Sequence, residues 1–303
     1  MFKKIGIIGL GAMGGAIAKR LHGGGHSLAV YDINDELAAR FRSKASVDVV
    51  ESPAELARRS DLILVSLPGT NEVRQVALGA NGVIEGIQAD SVFVNMSTCA
   101  PTVVVEIESA FASRGAGVIG APINGGPSKA MTGELAIVAG GEGSLLERCR
   151  SVLEQLGTVR HVGRTGSGEA VKIINNLLLG IIVPATAEAL VLGVKAGIEP
   201  STLVDAIENG VGDSHALRKH YKQHVLKGDF GEEGLFSVDY MRKDLKLAME
   251  MADELKVPLV FGGVADQVYQ MARAKGSEAN YHPVIVTILE ELVGVKVREK
   301  RPD

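Results

Sequence analysis

Ile5-Gly-Ile-Ile-Gly-Leu-Gly-Ala-Met-Gly14 is the stretch that decides the fold of this chain. Its first four residues form an apolar run of strand length, and an amphipathic helical pattern over 12–23 follows the loop. A glycine loop in this position permits a tight turn, close approach of a diphosphate and packing of helix on strand. The stretch therefore predicts a dinucleotide-binding loop made of Gly9, Leu10, Gly11, Ala12, Met13 and Gly14.

The context of the loop matters more than its spacing. Gly115-Ala-Gly117-Val-Ile-Gly120 has the same spacing, but it follows a helix and opens a strand, which is the wrong order for binding phosphate at a helix N-terminus. After the first loop, Asp32 ends the next predicted strand, 18 residues past Gly14. A carboxylate there accepts hydrogen bonds from the adenine ribose hydroxyls and repels a 2′-phosphate, so the sequence favours NAD over NADP.

Short β-branched runs alternate with helical patterns over residues 1–163. Continuous apolar runs indicate strands covered on both faces, so this region is predicted to be an α/β dinucleotide-binding domain with a Rossmann-type, doubly wound parallel sheet. Strands are predicted at Ile5–Ile8, Leu28–Tyr31, Leu62–Leu67, Val92–Asn95, Val118–Ala121, Glu134–Ala139 and Thr158–Val162, with helices that include 12–23, 53–60 and 101–114.

Residues 164–303 change to long helical periodicities and predict an all-α C-terminal domain for substrate binding and oligomerisation. A long interdomain helix from about residue 167 begins this domain, and Pro184 is expected to kink it. The predicted helices cover 167–196, 200–209, 213–226, 237–256, 258–275 and 283–294.

Lys172-Ile-Ile-Asn175-Asn176 places one ammonium and two amides on one side of an otherwise apolar helix. The apolar neighbours predict that Lys172 is buried. Burial disfavours the charged form of a lysine and brings it toward the range in which it exchanges protons. Lys172 is therefore a candidate catalytic acid/base.

Composition excludes several classes of function. The formal net charge of −4 offers no basic surface for nucleic acid, and the apolar run 177–194 is interrupted by Pro184 and Glu188, so no membrane span is expected. Cys99 and Cys149 lack the spacing of a disulfide framework or a zinc site. The N-terminus enters a strand without the pattern of a signal peptide, and we expect a cytoplasmic protein.

Six motifs in one order carry a resemblance to a known family. They are Gly9–Gly14, Leu67-Pro68, Ser97-Thr98-Cys-Ala-Pro101, Asn124-Gly125-Gly126, Gly168-Glu-Ala-Val-Lys172-Ile-Ile-Asn175-Asn176 and Lys243-Asp244-Leu-Lys-Leu-Ala. With them the chain resembles, over essentially its whole length, the β-hydroxyacid dehydrogenases typified by 3-hydroxyisobutyrate dehydrogenase. The resemblance implies an NAD-dependent oxidoreductase of short β-hydroxy acids that forms a homodimer or homotetramer.

The resemblance also implies a role for each matching residue. Lys172 would be the acid/base, Asn176 would bind the substrate, and Lys243 would lie near the cofactor. A loop of amide donors after a strand suits a substrate carboxylate, which is the expected role of Asn124, Gly125 and Gly126. The nicotinamide side would be lined by Leu67, Pro68 and Thr98, and Thr98 is also expected to border the substrate.

Two residues depart from the family pattern. Asn124 stands where relatives typically have serine, and Lys129 adds a cation where a small residue is usual. Both favour a substrate more polar than hydroxyisobutyrate, such as a serine-, threonine- or threonate-like acid.

Two other functions remain open from the sequence. One is an oxidative decarboxylase resembling 6-phosphogluconate dehydrogenase, which typically has histidine where Asn175 stands. The other is a non-catalytic NAD-binding module.

The remaining clusters of polar residues favour ordinary roles. His215, His220 and His224 alternate with lysine and arginine, which is typical of a solvated basic face rather than a metal site. Lys243 lies in a charged run, so a solvated helix face is an alternative to its place near the cofactor. No metal is expected.

Overall fold

The computed structural model describes residues 2, 4–231 and 236–299. Two compact units make up the chain, Met1–Lys172 (the dinucleotide unit) and Ile173–Asp303 (the helical unit). The division between them falls inside a helix, nine residues after the boundary that composition predicts between residues 163 and 164.

The dinucleotide unit contains one nine-stranded sheet. Its strands in chain order are β1 Ile5–Ile8, β2 Leu28–Tyr31, β3 Val47–Val49, β4 Leu62–Val65, β5 Val92–Asn95, β6 Gly117–Gly120, β7 Ile123–Asn124, β8 Leu135–Gly140 and β9 Gly157–Gly163. Their spatial order is β3-β2-β1-β4-β5-β6-β8-β7, and β9 pairs with β8. The order reverses at β1, which pairs in parallel with both β2 and β4.

The sheet is parallel from β3 to β6, which confirms the predicted Rossmann-type fold. Two features differ from the prediction. The three-residue β3 and the two-residue β7 were not predicted, because such short runs have no readable periodicity. β8 is antiparallel to β6 and β7, so the far end of the sheet is mixed.

Helices cover both faces of the sheet, which explains the continuous apolar strands. Ile7 and Leu64 pack into one buried cluster, whereas Ile8 and Ile63 pack into another on the opposite face. The helices are α1 Ala12–Gly23, α2 Asp35–Ala39, α3 Pro53–Arg58, α4 Thr70–Leu78, α5 Pro101–Ala112, α6 Gly126–Thr132, α7 Gly143–Leu153 and the start of α8 Ser167–Lys195.

The described part of the helical unit contains helices and one isolated β-bridge, between Ser237 and Tyr281. Its core surrounds Tyr221, Tyr269 and Ile285. After α8 the helices are α9 Pro200–Glu208, α10 Val238–Glu254, α11 Val260–Ala274 and α12 Val286–Val293, with short helical turns at Leu217–Tyr221, Val225–Lys227 and His282–Ile285.

The helix predicted over 213–226 is wrong as a regular α-helix. The N–H of Lys222 donates to the carbonyl of Leu217, five residues earlier, so the turn is wider than an α-helical turn. This turn is held from outside, because His220 contacts Tyr281 through both a ring contact and a hydrogen bond. Tertiary packing outweighs local helix propensity here.

The long helix α8 is continuous through Pro184. Proline has no N–H to donate to the carbonyl of Gly180, so one helical hydrogen bond is missing there. By length and apolar composition, α8 is the one described helix that could cross a membrane. Core helices of globular proteins have the same composition, and α8 also carries Glu169, Lys172 and Asn176, so composition alone does not assign it to a membrane.

Candidate functional site

The glycine loop lies where the strand order reverses, at the carboxyl ends of β1 and β4. Gly9 has φ of 87°, and a Cβ there would lie 2.2 Å from the carbonyl oxygen of Ser66. A Cβ on Gly14 would lie 1.8 Å from the carbonyl oxygen of Gly9. Gly11, by contrast, faces open space and caps α1 without a side-chain bond. The loop thus leaves the helix N-terminus accessible, as a diphosphate requires.

Asp32 directly follows β2 and lies beside this loop. Its Oδ2 accepts a hydrogen bond of 2.5 Å from the N–H of Leu10, and its Oδ1 accepts one of 2.8 Å from the N–H of Asn34. The carboxylate is therefore fixed at the loop. Its remaining lone pairs can accept hydrogen bonds from the hydroxyl groups of a ribose. The geometry fits a dinucleotide.

A cavity of about 700 Å³ has Asp32 in its lining. Its lining includes four carboxylates and two guanidinium groups, those of Asp32, Asp35, Asp48, Glu51, Arg42 and Arg59. Arg59 already pairs with Glu55 at 2.6 Å. Arg42 is thus the one cation of the lining available to a 2′-phosphate, and the excess of carboxylates opposes that group.

The residues predicted to line the nicotinamide side follow β4 and β5. Leu67 is half-buried, lies against Gly9, and donates its N–H to Ser97 Oγ at 2.9 Å. Pro68 is exposed and Thr98 is half-buried. Because β4 and β5 are adjacent and parallel, both loops emerge at the same edge of the sheet as the glycine loop. Ala12 and Met13 begin α1 at that edge, exposed and half-buried respectively.

Lys172 meets Asn124 within the dinucleotide unit. The ammonium donates to Asn124 Oδ1 at 2.6 Å. Asn124 ends β7, and Gly125 and Gly126 follow it with φ of 135° and 79°, values that only glycine adopts readily. The structure therefore brings together the predicted acid/base and the predicted substrate loop.

The predicted burial of Lys172 is wrong. Lys172 is half-buried, because Val171 and Ile174, the apolar residues that suggested burial, are themselves 38% and 47% exposed. An apolar composition did not distinguish a helix inside a core from one with an exposed apolar side. Accessibility does suit a group that exchanges a proton with a substrate.

Lys129 lies on α6, one turn after the Gly125-Gly126 loop. Its side chain is exposed, and its aliphatic part passes over Gly125, where an added Cβ would lie 2.9 Å from Lys129 Cδ. No described residue forms an ion pair with it. A cation is thus available beside the loop.

Asn176 and Lys243 meet in the helical unit through Asp244. Asp244 is 1% exposed; it accepts a hydrogen bond from Asn176 Nδ2 and lies 3.0 Å from Lys243 Nζ. Lys243 is thus half-buried and paired, which does not fit the alternative of a solvated helix face. Asn175 is exposed and donates to Asn176 Oδ1 at 3.0 Å. Asp244 orients the amide of Asn176.

Sequence reasoning missed Asp244 and Glu169, two fully buried acids within the motifs. Glu169 accepts a hydrogen bond of 2.9 Å from Asn95 Nδ2. Each acid lies close in sequence to a lysine that the prediction singled out instead, Lys172 for Glu169 and Lys243 for Asp244. A signal was available for Glu169, whose carboxyl group stands between the small residues Gly168 and Ala170, whereas Asp244 follows Lys243 in a charged run.

The histidines only partly form a solvated basic face. His215 is exposed, but His220 hydrogen-bonds Tyr281, and His224 contacts Asp229 at 2.9 Å. The prediction is wrong for His220, whose ring lies against Tyr281. His224 is half-buried and pairs with the exposed Asp229 at the surface. Among the described residues no group of histidines, cysteines or carboxylates could hold a metal ion.

Comparisons with known proteins cover nearly the whole chain. Residues 4–166 match the NAD binding domain of 6-phosphogluconate dehydrogenase, and residues 166–289 match the family described as NAD-binding of NADP-dependent 3-hydroxyisobutyrate dehydrogenase. 2-(Hydroxymethyl)glutarate dehydrogenase of Eubacterium barkeri is 36% identical over 97% of each chain. Mitochondrial 3-hydroxyisobutyrate dehydrogenase of Mus musculus is 32% identical over 95% of this chain and 87% of its own.

A solved structure agrees in fold. The 3-hydroxyisobutyrate dehydrogenase of Mycobacterium tuberculosis, solved with L-serine, superposes with a TM-score of 0.86 at 28% identity. The match covers 95% of this chain and 99% of that one.

Proposed function

We propose a specific function for this chain from one premise: it belongs to the β-hydroxyacid dehydrogenase family typified by 3-hydroxyisobutyrate dehydrogenase. The chain is accordingly an oxidoreductase that acts on a CH–OH group with a nicotinamide dinucleotide. The decarboxylase and the non-catalytic module are not favoured. In this chain, the residues around Lys172 and Asp32 support a proposal for the substrate and for the cofactor preference.

Lys172 is the acid/base. The bound nicotinamide supplies hydride transfer, which no amino-acid side chain provides. In the oxidative direction the neutral amine of Lys172 takes the hydroxyl proton, and in the reductive direction the ammonium returns it to the developing alkoxide. The hydrogen bond of 2.6 Å from Lys172 to Asn124 is the observation that carries this assignment.

Asn124 orients the nitrogen of Lys172. Its Oδ1 can only accept a hydrogen bond, so it fixes the direction of one N–H of the lysine. The Nδ2 of Asn124 and the backbone N–H groups of Gly125 and Gly126 are donors for the substrate carboxylate. Asn176, whose amide Asp244 orients within the helical unit, is a further substrate-binding residue.

The substrate carries a second polar or anionic substituent. Lys129 supplies an accessible cation one helical turn after the carboxylate loop. The 36% identical relative is named for 2-(hydroxymethyl)glutarate, a β-hydroxy acid with a second carboxylate. Such a dicarboxylate suits both the amide of Asn124 and the ammonium of Lys129, whereas hydroxyisobutyrate offers only a methyl group in that place.

NAD is preferred to NADP. Asp32 and the excess of carboxylates in the adjacent cavity support this preference, and Arg42 opposes it. The protein is cytoplasmic and forms a homodimer or homotetramer. Support for assembly comes from the apolar side chains that α11 exposes, among them Phe261 at 73% and Val260 at 71%.

A turnover assay tests the proposal. NADH formation is followed with 2-(hydroxymethyl)glutarate, 3-hydroxyisobutyrate, L-threonate and L-serine, each with NAD⁺ and NADP⁺. Lys172→Ala is expected to lower kcat by about a thousandfold or more, while Lys246→Ala, an exposed lysine of α10, serves as the control. Unchanged turnover in Lys172→Ala would refute the assigned role, and a preference for NADP⁺ would refute the role of Asp32.

A further inference from the structure

A carboxyl group is enclosed at the start of the helix that carries Lys172. Glu169, the third residue of α8, is 0% exposed. One oxygen, Oε1, accepts the hydrogen bond from Asn95 Nδ2 at 2.9 Å, and the other, Oε2, has no hydrogen-bond partner among the described residues. Burial raises the pKa of this carboxyl to about 7. The uncharged acid is therefore its form below neutral pH.

The carboxyl lies at the ends of two adjacent strands. Asn95 is the last residue of β5, and Gly120 is the last residue of β6. A Cβ on Gly120 would lie 2.2 Å from Glu169 Oε2, so the carboxyl occupies the space that glycine leaves. Any side chain at position 120 would displace it.

Hydrogen bonds connect this carboxyl to the loop after β4. Asn95 Oδ1 accepts from the N–H of Ser97 at 3.1 Å, and Ser97 Oγ accepts from the N–H of Leu67 at 2.9 Å. Glu169 is thus joined through two side chains to a residue predicted to lie on the nicotinamide side. Thr98 follows Ser97 directly.

Lys172 follows Glu169 by three residues, so both project from the same side of α8. The far end of the lysine is held by Asn124, four residues after Gly120. Asn124 therefore holds the lysine at its nitrogen, and the hydrogen bond between Glu169 and Asn95 holds the helical turn from which the lysine projects.

Few ionisable groups surround the carboxyl. On β5, β6, the loop after β5 and the first two turns of α8, the described titratable side chains are Cys99 and Lys172, and the thiol of Cys99 contacts the same Asn95 amide at 3.3 Å. Arg164, just before α8, is exposed, and Glu108 of α5 is engaged by Thr165. The shift in pKa has burial as its main cause and no charged neighbour among its causes.

We propose that Glu169 is a positioning residue for the reaction, which fastens the first turns of α8 to β5 through its hydrogen bond with Asn95 and thereby places Lys172. The inference rests on the proposed role of Lys172. When the carboxyl releases its proton to solvent, the resulting anion lies one turn from Lys172 and favours the ammonium over the amine. Oxidation needs the amine, so the protonation of Glu169 enters the pH dependence of the reaction.

Two variants distinguish the effect of the Glu169–Asn95 hydrogen bond from the effect of a negative charge on Glu169. The glutamine of Glu169→Gln has an amide oxygen that can accept the hydrogen bond from Asn95 and an amide N–H₂ group that can donate one. Unlike the carboxyl group, it cannot ionise. It is expected to keep kcat within about twofold of wild type near pH 6 and to move the acid limb of the oxidation profile to lower pH by about half a unit or more. Glu169→Ala is expected to lower kcat about tenfold or more while KM for NAD⁺ changes less than about threefold. Glu188→Gln, exposed on the same helix, is the matched control.

Infrared spectroscopy gives a readout that does not need turnover. Wild type should show the carbonyl band of a protonated carboxylic acid that disappears as the pH rises through neutrality, and Glu169→Gln should lack it. An unchanged pH profile in Glu169→Gln, or the absence of such a band in wild type, overturns the inference even where Glu169→Ala fails to fold. Full turnover in Lys172→Ala would instead refute the proposed function.

Discussion

Replacing Glu169 with glutamine should change the stability of the dinucleotide unit in a pH-dependent way. The pKa of this fully buried carboxyl rises from 4.5 to about 7, mainly through desolvation, with the Asn95 hydrogen bond acting in the opposite direction. Each pKa unit corresponds to about 1.4 kcal/mol, so ionising the carboxyl costs the folded state roughly 3 kcal/mol. That is a large part of the net stability of a typical domain.

The sign depends on which state holds the proton more tightly. In the unfolded chain Glu169 titrates near its ordinary value of 4.5, and in the folded protein near 7. Below about pH 4.5 both states are protonated and the folded state loses nothing; between there and pH 7 stability falls as the pH rises. Glutamine cannot ionise, so the variant avoids this loss.

Urea denaturation at about pH 5 and about pH 8 measures the effect. The free energy of unfolding of Glu169→Gln, relative to wild type, should rise by about 2–3 kcal/mol between the two pH values. Glu188→Gln, exposed on the same helix, should show no such change. An equal difference between Glu169→Gln and wild type at both pH values would refute the reasoning, because it would mean that the carboxyl is already ionised or that its environment is hydrated.

Four other changes have definite expected outcomes. Gly14→Ala brings a Cβ within 1.8 Å of the Gly9 carbonyl and should abolish NAD⁺ binding in calorimetry. Asp32→Ser should weaken NAD⁺ binding about tenfold and reduce its advantage over NADP⁺, since one charged acceptor is lost. Gly120→Ala should destabilise the protein by about 1–3 kcal/mol in urea denaturation, through overpacking against the acid. Burial lowers the pKa of His282 well below its ordinary value, whereas the imidazole of the unfolded chain gains its proton below about pH 6.5. The helical unit should therefore lose stability on acidification. His282→Leu should lessen that loss, as measured by unfolding followed with circular dichroism.

The parts of the fold that the sequence predicted are those governed by local rules. β1, the glycine loop and α1 are contiguous, and each residue there satisfies a requirement of its neighbours. β3 and β7 were missed because strands of three and two residues depend on the partner that pairs with them. The irregular segment after residue 213 has the composition of a helix, but the contact between His220 and Tyr281 determines its path.

The residues of the site also divide into those that the sequence predicted and those that depend on contacts between distant parts of the chain. Lys172 and Asn124 were predicted separately, one from a helix and one from a loop, and their hydrogen bond of 2.6 Å joins residues 48 apart in the chain. The burial of Lys172 could not be read from its neighbours, because Ile174 and Val171 contribute hydrophobicity without being covered. Asp244 needed knowledge of its contact with Asn176, which composition does not contain.

The two glycine patterns of identical spacing show why a motif requires a physical reason. In Gly9–Gly14 the last glycine is needed because a Cβ would strike the backbone of the loop itself, a local cause that the sequence contains. In Gly115–Gly120 the last glycine is needed because the carboxyl of Glu169, 49 residues further along, occupies the space. The second pattern is no dinucleotide loop, as its order of strand and helix predicted, yet its last glycine still serves the site. A Gly120→Ala/Glu169→Ala double variant should therefore recover part of the stability that Gly120→Ala loses, because the clash disappears with the carboxyl.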